Sequence, residues 1–243
     1  MKMLTFAKRN FKELIRDPLN IAFGLGFPLV LLCLLSIIQK NIPVSLFEID
    51  RLTPGITVFG LSFMSLFSAT VISKDRGSSL LQRLYTTPMR AVDFIVGYTL
   101  PILPLSVLQC VVCYGVAMLF GLKLSLNILY AVLFILPVSL MFVSIGLLCG
   151  SVLNEKQVGG VCGALLANLS GWLSGIWFDL ELLGDTFNDI ANCLPFVHGV
   201  ELEKAALAGD FSAALPHLWW ILGYDAVLLT AAVLLFLRQM KKQ

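Results

Sequence analysis

Charged residues are scarce in this sequence. Only 13% of its 243 residues are Asp, Glu, Lys or Arg, whereas 58% are hydrophobic and the mean hydropathy is +0.90. Soluble domains contain about 25% charged residues, and a chain of this length folded in water still exposes about a quarter to a third of its surface. Too few polar side chains are present to cover that surface. The composition therefore excludes a water-soluble domain and favours a chain surrounded by lipid.

Motifs for catalysis and nucleotide binding are also missing. The sequence contains no G-x-x-x-x-G-K-[ST] loop, so it lacks the Walker-type backbone cradle for ATP phosphates. It contains no H-E-x-x-H, G-x-S-x-G or H-R-D motif either. We therefore predict no catalytic residue, no metal site and no cofactor bound by this chain. The net charge of +2 is too small to indicate a nucleic-acid partner.

The six cysteines indicate neither disulfides nor zinc. Five of them lie inside apolar stretches, where a thiol behaves as a small hydrophobe, and only Cys193 lies in a polar loop. Cys110 and Cys113 lie three residues apart, but a zinc site needs four ligands. We interpret these two as core residues of a helix.

Long apolar stretches define the predicted fold. A helix needs about 20 apolar residues to cross the bilayer core. Residues 19–243 contain six such stretches, at about 19–38, 55–73, 94–119, 127–152, 158–178 and 217–237. Residues 1–18 instead place basic and apolar side chains on opposite sides of a helix, as is typical at the headgroup boundary. No A-x-A site follows residues 1–38, so we do not expect a cleaved signal peptide. The sequence predicts an all-α integral membrane protein with six transmembrane helices preceded by an amphipathic interfacial helix.

Lysine and arginine predict the orientation. With the N terminus in the cytoplasm, thirteen of the 17 Lys and Arg residues fall in cytoplasmic segments and four in external ones. An even number of spans also returns Arg238, Lys241 and Lys242 to the cytoplasm. Seven acidic residues fall in the longest predicted external loop, 179–216. We predict a protein of the cell membrane, inner or plasma, with both termini cytoplasmic.

The predicted cytoplasmic loop 73–93 is too long for a tight turn. Gly77 and Ser78 can begin a short helix in it, and Pro88 ends that helix. Leu80, Leu81 and Leu84 stand beside Gln82, Arg83 and Tyr85, which makes the helix amphipathic. Such a helix either receives force from a soluble partner or only anchors the loop, and composition favours neither.

The order of these segments resembles the permease family of type-2 ABC transporters. The similar blocks are R-D-P at 16–18, K-D-R-G-S-S-L-L-Q-R-L-Y-T-T-P-M-R at 74–90 and L-P-F-V-H-G-V-E-L-E-K-A-A-L-A-G at 194–209. The resemblance covers nearly the whole chain. The family commonly has a longer Glu-rich run and a Gly-Thr pair in the cytoplasmic block, where this chain has Asp75 and Gly77-Ser78.

The resemblance implies a half-transporter. Two permeases, identical or different, would pair in the membrane, and each would be driven by a separate ABC ATPase subunit that binds ATP and Mg²⁺. Residues 1–18 would be the elbow helix, and the helix in loop 73–93 would couple the permease to the ATPase. The coupling residues implied by the resemblance are Asp75, Arg76, Gly77, Leu80, Leu81, Arg83, Leu84, Tyr85 and Pro88.

Spans two and five contain the candidate residues for a translocation path or for helix packing. Phe59, Phe63 and Phe67 share one stripe of span two, and Ser62 and Ser65 share another. Span five repeats small residues every four positions, which allows close helix approach within the chain or between two permeases. Those small residues are Gly159, Gly163, Ala167, Gly171 and Gly175. The family lines its path with these two spans.

Two polar residues inside predicted spans leave the mechanism open. Asn168 needs a hydrogen-bond partner or a wet cavity, and Asp225 is the only acid within a span. Our first hypothesis is an exporter permease for a hydrophobic or amphiphilic substrate such as a drug, lipid or peptide. The alternatives are an ion- or proton-coupled secondary transporter built around Asp225, and a membrane enzyme or assembly factor that uses His198.

Overall fold

The computed structural model describes residues 2–43, 47–78, 80–87 and 89–240, with only the backbone of Lys2 and Met240. Helices dominate this part of the chain, and it contains no strand. The helices are α1 (Lys2–Arg16), α2 (Pro18–Asn41), α3 (Ile49–Gly77), α4 (Leu80–Tyr85), α5 (Ala91–Leu119), α6 (Asn127–Val152), α7 (residues 155–172), α8 (Asp185–Cys193), α9 (Pro195–Ala208) and α10 (Phe211–Met240). The all-α prediction is confirmed for these residues.

Within the described ranges, five helices are long and apolar enough to cross a membrane: α2, α3, α5, α6 and α10. They contain the predicted spans one, two, three, four and six. The helix at the predicted fifth span, 158–178, is not one of them. That helix starts with polar Glu155, Lys156 and Gln157 and stops at Trp172, because the chain then turns through Gly175 at φ +70°. The six-span count is therefore not confirmed.

Local sequence explains where α1 gives way to α2. The Asp17 carboxylate accepts a hydrogen bond from the Leu19 amide at 3.0 Å, and Pro18 occupies the first helical position. An N-cap acid followed by proline is a strong helix start, because proline has no amide hydrogen to leave unpaired there. The chain can thus end an amphipathic helix and begin an apolar one within two residues.

Helix α3 is the centre of the bundle. Of an 18-residue apolar stretch in α3, 89% is buried within the chain, compared with 22% of the corresponding stretches in α2 and α10. Its main neighbour is α6, where Gly146 and Gly150 lie one turn apart. A Cβ at Gly146 would collide with the Ser65 carbonyl oxygen, and one at Gly150 would lie 2.6 Å from that of Ala69. The two backbones therefore touch, as small residues permit in membrane helices.

The segment between α7 and α10 is helical and partly buried. Helix α9 packs against α3, α6 and α10, with Val200, Leu202 and Ala206 fully buried. Gly209, at φ +77°, ends it in the left-handed conformation. This helix lies within 179–216, which the sequence predicts as an external loop. Glu203, which the sequence placed among the acids of an external loop, is fully buried on α9.

Replacing Gly146 or Gly150 by Ala is expected to destabilise the protein, because the added methyl group forces the α3 and α6 backbones apart. Overpacking of this kind costs about 1–3 kcal/mol. Gly115→Ala and Gly223→Ala are matched controls, since nothing lies within 4 Å of a Cβ at either position. Thermal unfolding in detergent measures the effect. Equal melting temperatures for the two pairs would contradict the close contact.

Candidate functional site

One end of the bundle contains α1, α4, the C-terminal ends of α3, α6 and α10, and the N-terminal end of α5; we call it the α1 end. A buried carboxylate lies at its centre. Asp75 of α3 is 1% exposed, and its Oδ2 accepts hydrogen bonds from Arg9 Nη1 at 2.5 Å and Tyr98 Oη at 2.9 Å. These residues come from α3, α1 and α5, so one acid joins three helices. We call this group the Arg9–Asp75–Tyr98 cluster.

Packing of α1 on α5 surrounds the cluster. Phe6 contacts Phe94 and Tyr98 edge-on, with ring centroids 6.0 and 4.9 Å apart. Asn10 Nδ2 donates to the carbonyl of Gly97 at 3.0 Å. A Cβ at Gly97 would collide with the Phe6 ring. Glycine at this position therefore lets α1 lie close enough for Arg9 to reach Asp75.

Arg76 joins the C-terminal end of α3 to that of α6. Its guanidinium donates to the carbonyls of Ser151 and Leu153, at the C terminus of α6. Gln239 of α10 donates to the same Ser151 carbonyl at 2.8 Å. A cation at a helix C terminus satisfies carbonyls that have no intrahelical partner. Arg76 and Gln239 thus tie the C-terminal ends of α3, α6 and α10 together at the α1 end.

Helix α4 has one side in the bundle and one side outside it. Leu81 is 2% exposed, Leu80 and Leu84 are half-buried, and the Tyr85 ring lies edge-on to Phe94 with centroids 5.3 Å apart. The outer side presents Gln82, Arg83 and Thr86, and Gly77 before the helix is also exposed. We call Gln82, Arg83 and Thr86 the α4 outer side. Pro88 lies outside the described residues.

The predicted coupling residues thus separate into two groups. Asp75, Arg76, Leu81, Leu84 and Tyr85 bind or pack within the chain. Of the other described ones, Leu80 is half-buried, and Gly77 and Arg83 are exposed and open to a partner. The sequence did not indicate this division for Asp75, because its partner Arg9 lies 66 residues earlier.

Aromatic rings from three segments meet around Phe59 and Phe63 of α3. Phe27 of α2 has ring centroids 6.3 and 5.5 Å from them, Phe23 stacks on Phe63 at 5.9 Å, and Trp177 lies 5.7 Å from Phe59. Phe59 and Phe63 are buried, whereas Phe23 and Phe27 are 44% and 37% exposed. We call these five residues the aromatic cluster. Sequence reasoning missed Phe23 and Phe27, although their four-residue spacing was a usable signal.

The serines of α3 lie elsewhere. Ser62 and Ser65 are fully buried, and Ser62 Oγ donates to the Phe59 carbonyl at 2.7 Å. Ser65 faces the close contact with Gly146. These two residues belong to helix packing and do not line the aromatic cluster.

The small residues of α7 do not form one continuous stripe. Residues Gly159–Leu166 are π-helical, which changes the number of residues per turn. A Cβ at Gly159 would have no neighbouring atom within 4 Å. One at Gly163 would lie 3.3 Å from the Leu66 side chain, and one at Gly171 would contact Trp177 and Phe59. Asn168 is exposed, and its Nδ2 donates to the Ala164 carbonyl at 2.8 Å. The amide therefore has a partner within its own helix.

The acid predicted inside the last span is buried. Asp225 is 4% exposed, and neither carboxylate oxygen has a hydrogen-bond partner among the described residues. A second buried acid, Glu203, accepts a hydrogen bond from Tyr114 Oη at 3.3 Å. Burial raises the pKa of the Glu203 carboxyl well above its usual range.

The two histidines form a pair. Their Nδ1 atoms lie 2.9 Å apart, and His198 Nε2 lies 2.9 Å from the Asn192 carbonyl. His198 also stacks on Trp220, with centroids 4.9 Å apart. Burial lowers the pKa of His198. No group of three or more His, Cys, Asp or Glu residues suited to a metal ion is found in the part of the chain that the structure describes.

Comparison with known proteins gives one family and one relative. The family described as ABC-2 type transporter matches residues 1–206. A capsule polysaccharide export inner-membrane protein, CtrC of Neisseria meningitidis serogroup A, is 26% identical over 147 residues. That alignment covers 60% of this chain and 56% of the relative, so the chain spans little more than half of the relative's length.

Replacing Asp75 by Asn is expected to destabilise the protein, because the buried charge that binds Arg9 and Tyr98 is lost. Hydrogen bonds to a charged group contribute about 1.5–3 kcal/mol. Arg9→Gln and the double variant complete a cycle, in which we expect the two losses to be less than additive. Thermal unfolding is the measurement.

Glu13→Gln is the control for that cycle. Glu13 also binds Arg9, at 2.7 Å, but both side chains are about a third exposed, so its removal should cost about 0–1 kcal/mol. Additive losses for Arg9→Gln and Asp75→Asn would contradict the cluster.

Proposed function

This chain belongs to the ABC-2 type transporter family, and we propose that it is the membrane-spanning permease subunit of an ATP-driven exporter whose ATPase is a separate chain. The observation that supports this most is the arrangement of α4. Its apolar side is buried against the bundle, and its outer side is free at the α1 end. Such a helix can be pushed by a soluble partner and pass that movement to the helices behind it.

Helix α3 is the proposed transmission element. Its C-terminal end contains Asp75 and Arg76, which bind α1, α5 and α6. Its middle contains Phe59 and Phe63 of the aromatic cluster. At 1.5 Å per residue these two regions are about 20 Å apart along one straight helix. Movement of the C-terminal end of α3 would therefore be passed along one helix to the aromatic cluster.

The proposed topology has six spans and both termini in the cytoplasm. Residues 155–172 and the turn that follows them would serve as the fifth membrane segment. With that segment counted, the Lys- and Arg-rich α1 end faces the cytoplasm and the helices α8 and α9 face outside, as the distribution of basic residues favours. The α4 outer side would then meet the ATPase where nucleotide is available.

A second permease, identical or different, is proposed to pack on α7. Its outward side presents Ala164, Leu165, Asn168, Leu169 and Trp172, of which the leucines and the tryptophan are 40–55% exposed. A small residue beside a satisfied amide allows close approach of another helix. This exposed apolar face, with Ala164 and Asn168 at its centre, is therefore suited to a permease–permease interface within the lipid.

The proposed cargo is hydrophobic or amphiphilic, such as a drug, a lipid or a peptide. The aromatic cluster supports this, since its buried rings continue to the half-exposed Phe23 and Phe27 on α2. Capsule polysaccharide, named for the relative, is the alternative cargo. Proton-coupled transport is the alternative mechanism, which the partnerless Asp225 favours.

Replacing Arg83 by Glu is expected to prevent productive docking of the ATPase, because it reverses a charge on the α4 outer side. We expect co-purification with the ATPase and ATP-dependent export to fall at least about tenfold, equivalent to about 1.4 kcal/mol. The melting temperature of the permease alone should stay unchanged, since Arg83 is exposed.

Lys123→Glu makes the same charge change at the opposite end of the bundle, where Lys123 is exposed. It should leave ATPase binding intact. Wild-type ATPase binding by Arg83→Glu would remove the coupling assignment, and transport that follows a proton gradient without ATP would favour the alternative mechanism.

A further inference from the structure

A basic cleft of about 800 Å³ lies between α1 and the C-terminal part of α3. Five cationic side chains line it: Lys8, Arg9, Lys12, Arg16 and Lys74. None of the functions considered above uses the cleft. Its size suits a polar group of several atoms together with water.

The charges inside the cleft are not balanced. Among the described residues only two acids line it, and both have cationic neighbours: Glu13 binds Arg9 at 2.7 Å, and Asp17 lies 4.0 Å from Lys74. Throughout the described ranges, Lys8, Lys12 and Arg16 have no acidic partner within salt-bridge distance. The cleft thus has three uncompensated positive charges.

These three cations form a single stripe along α1. Lys8, Lys12 and Arg16 follow one another at four-residue spacing, and all three are exposed. Like charges at this spacing repel and destabilise a helix by about 0.2–0.5 kcal/mol per pair. A bound anion would remove the repulsion, so the stripe is better suited to an occupied cleft than to an empty one.

The position of the cleft indicates what that anion is. Thr70 and Val71 line it, and they lie about two turns from the end of the spanning helix α3. Beside it, Ile15, Leu19 and Phe23 are 43%, 64% and 44% exposed, as lipid-facing side chains would be. The cleft therefore opens at the level where the polar and apolar parts of a bilayer meet.

We propose that this cleft binds the phosphate headgroup of an anionic phospholipid from the leaflet at the α1 end. Lys8 and Lys12 supply ammonium donors, and the planar Arg16 guanidinium can bind a phosphate with two parallel hydrogen bonds. The acyl chains lie along Leu19 and Phe23 of α2. The proposal needs only that the chain spans a membrane; it does not depend on export or on an ATPase.

The test measures lipid retention by the purified chain alone. The protein is reconstituted in nanodiscs of phosphatidylcholine with added phosphatidylglycerol, released into detergent, and the retained lipid is identified by native mass spectrometry. The wild type should retain phosphatidylglycerol selectively. Lys8→Gln, Lys12→Gln and Arg16→Gln should each weaken retention about fivefold, since one cation near an anionic surface contributes about 1 kcal/mol.

Two further variants make the test decisive: the triple variant Lys8→Gln/Lys12→Gln/Arg16→Gln, which should lose selective retention, and Lys156→Gln. Lys156→Gln removes an exposed cation at the same end of the bundle but outside the cleft, and it should retain lipid like the wild type. Arg9 is left unchanged, because its loss would disturb the Arg9–Asp75–Tyr98 cluster. If the triple variant loses its wild-type elution profile, the three single variants provide the comparison.

Competition identifies the source of the anion. Inorganic phosphate and ATP, added separately, should not displace the retained lipid. Displacement by either would overturn the lipid assignment in favour of a soluble anion. Equal retention by wild type and triple variant would also overturn it.

Discussion

The buried Asp75 carboxylate is the interaction on which the α1 end depends. It has almost no contact with solvent, yet it binds a cation from α1 and a hydroxyl from α5. A charge in such a place is tolerated only when it is paired and hydrogen-bonded, because desolvation otherwise costs several kcal/mol. The positions of α1, α3 and α5 are therefore coupled. If α1 or α5 moved away from α3, the buried carboxylate would lose a partner and its desolvation would no longer be compensated.

The α1 end is held by a different kind of contact from the middle of the bundle. At the α1 end, charged and polar contacts tie the termini of α3, α6 and α10 together. Farther along, α3 meets α6 through glycines and meets α2 through aromatic rings, neither of which fixes a single geometry as strongly as a buried ion pair. In the proposed mechanism, a force applied to α4 would move this end as a unit and change the packing of the aromatic cluster.

Much of the fold follows from sequence, because each span is recorded locally as a run of apolar residues. Five predicted spans agree with long helices, and the amphipathic pattern of loop 73–93 places Leu81 inside and Arg83 outside. The fifth predicted span does not agree, because hydropathy does not reveal that the helix stops at Trp172 or that residues Gly159–Leu166 are π-helical. A four-residue repeat of glycines marks one face only in a regular α-helix.

The site was less predictable, because its contacts join distant parts of the chain. The sequence places Asp75 in a polar cytoplasmic block, as a surface residue would be, whereas in the structure it is buried beside Arg9 and Tyr98. Glu203 was grouped with external acids, although it is buried against Tyr114. The glycines in closest contact with a neighbouring backbone are Gly146 and Gly150 of α6. The sequence analysis did not predict them, because α7 has a longer repeat of small residues.

The central claim is that the α1 end faces the cytoplasm and the α8–α9 end faces outside. Cys193, at the end of α8, is exposed and can be labelled directly, and Arg83→Cys in a Cys193→Ser background places a thiol on the α4 outer side. A membrane-impermeant maleimide applied to intact cells should label Cys193 and should label position 83 only after the membrane is permeabilised. Labelling of position 83 from outside would contradict the account.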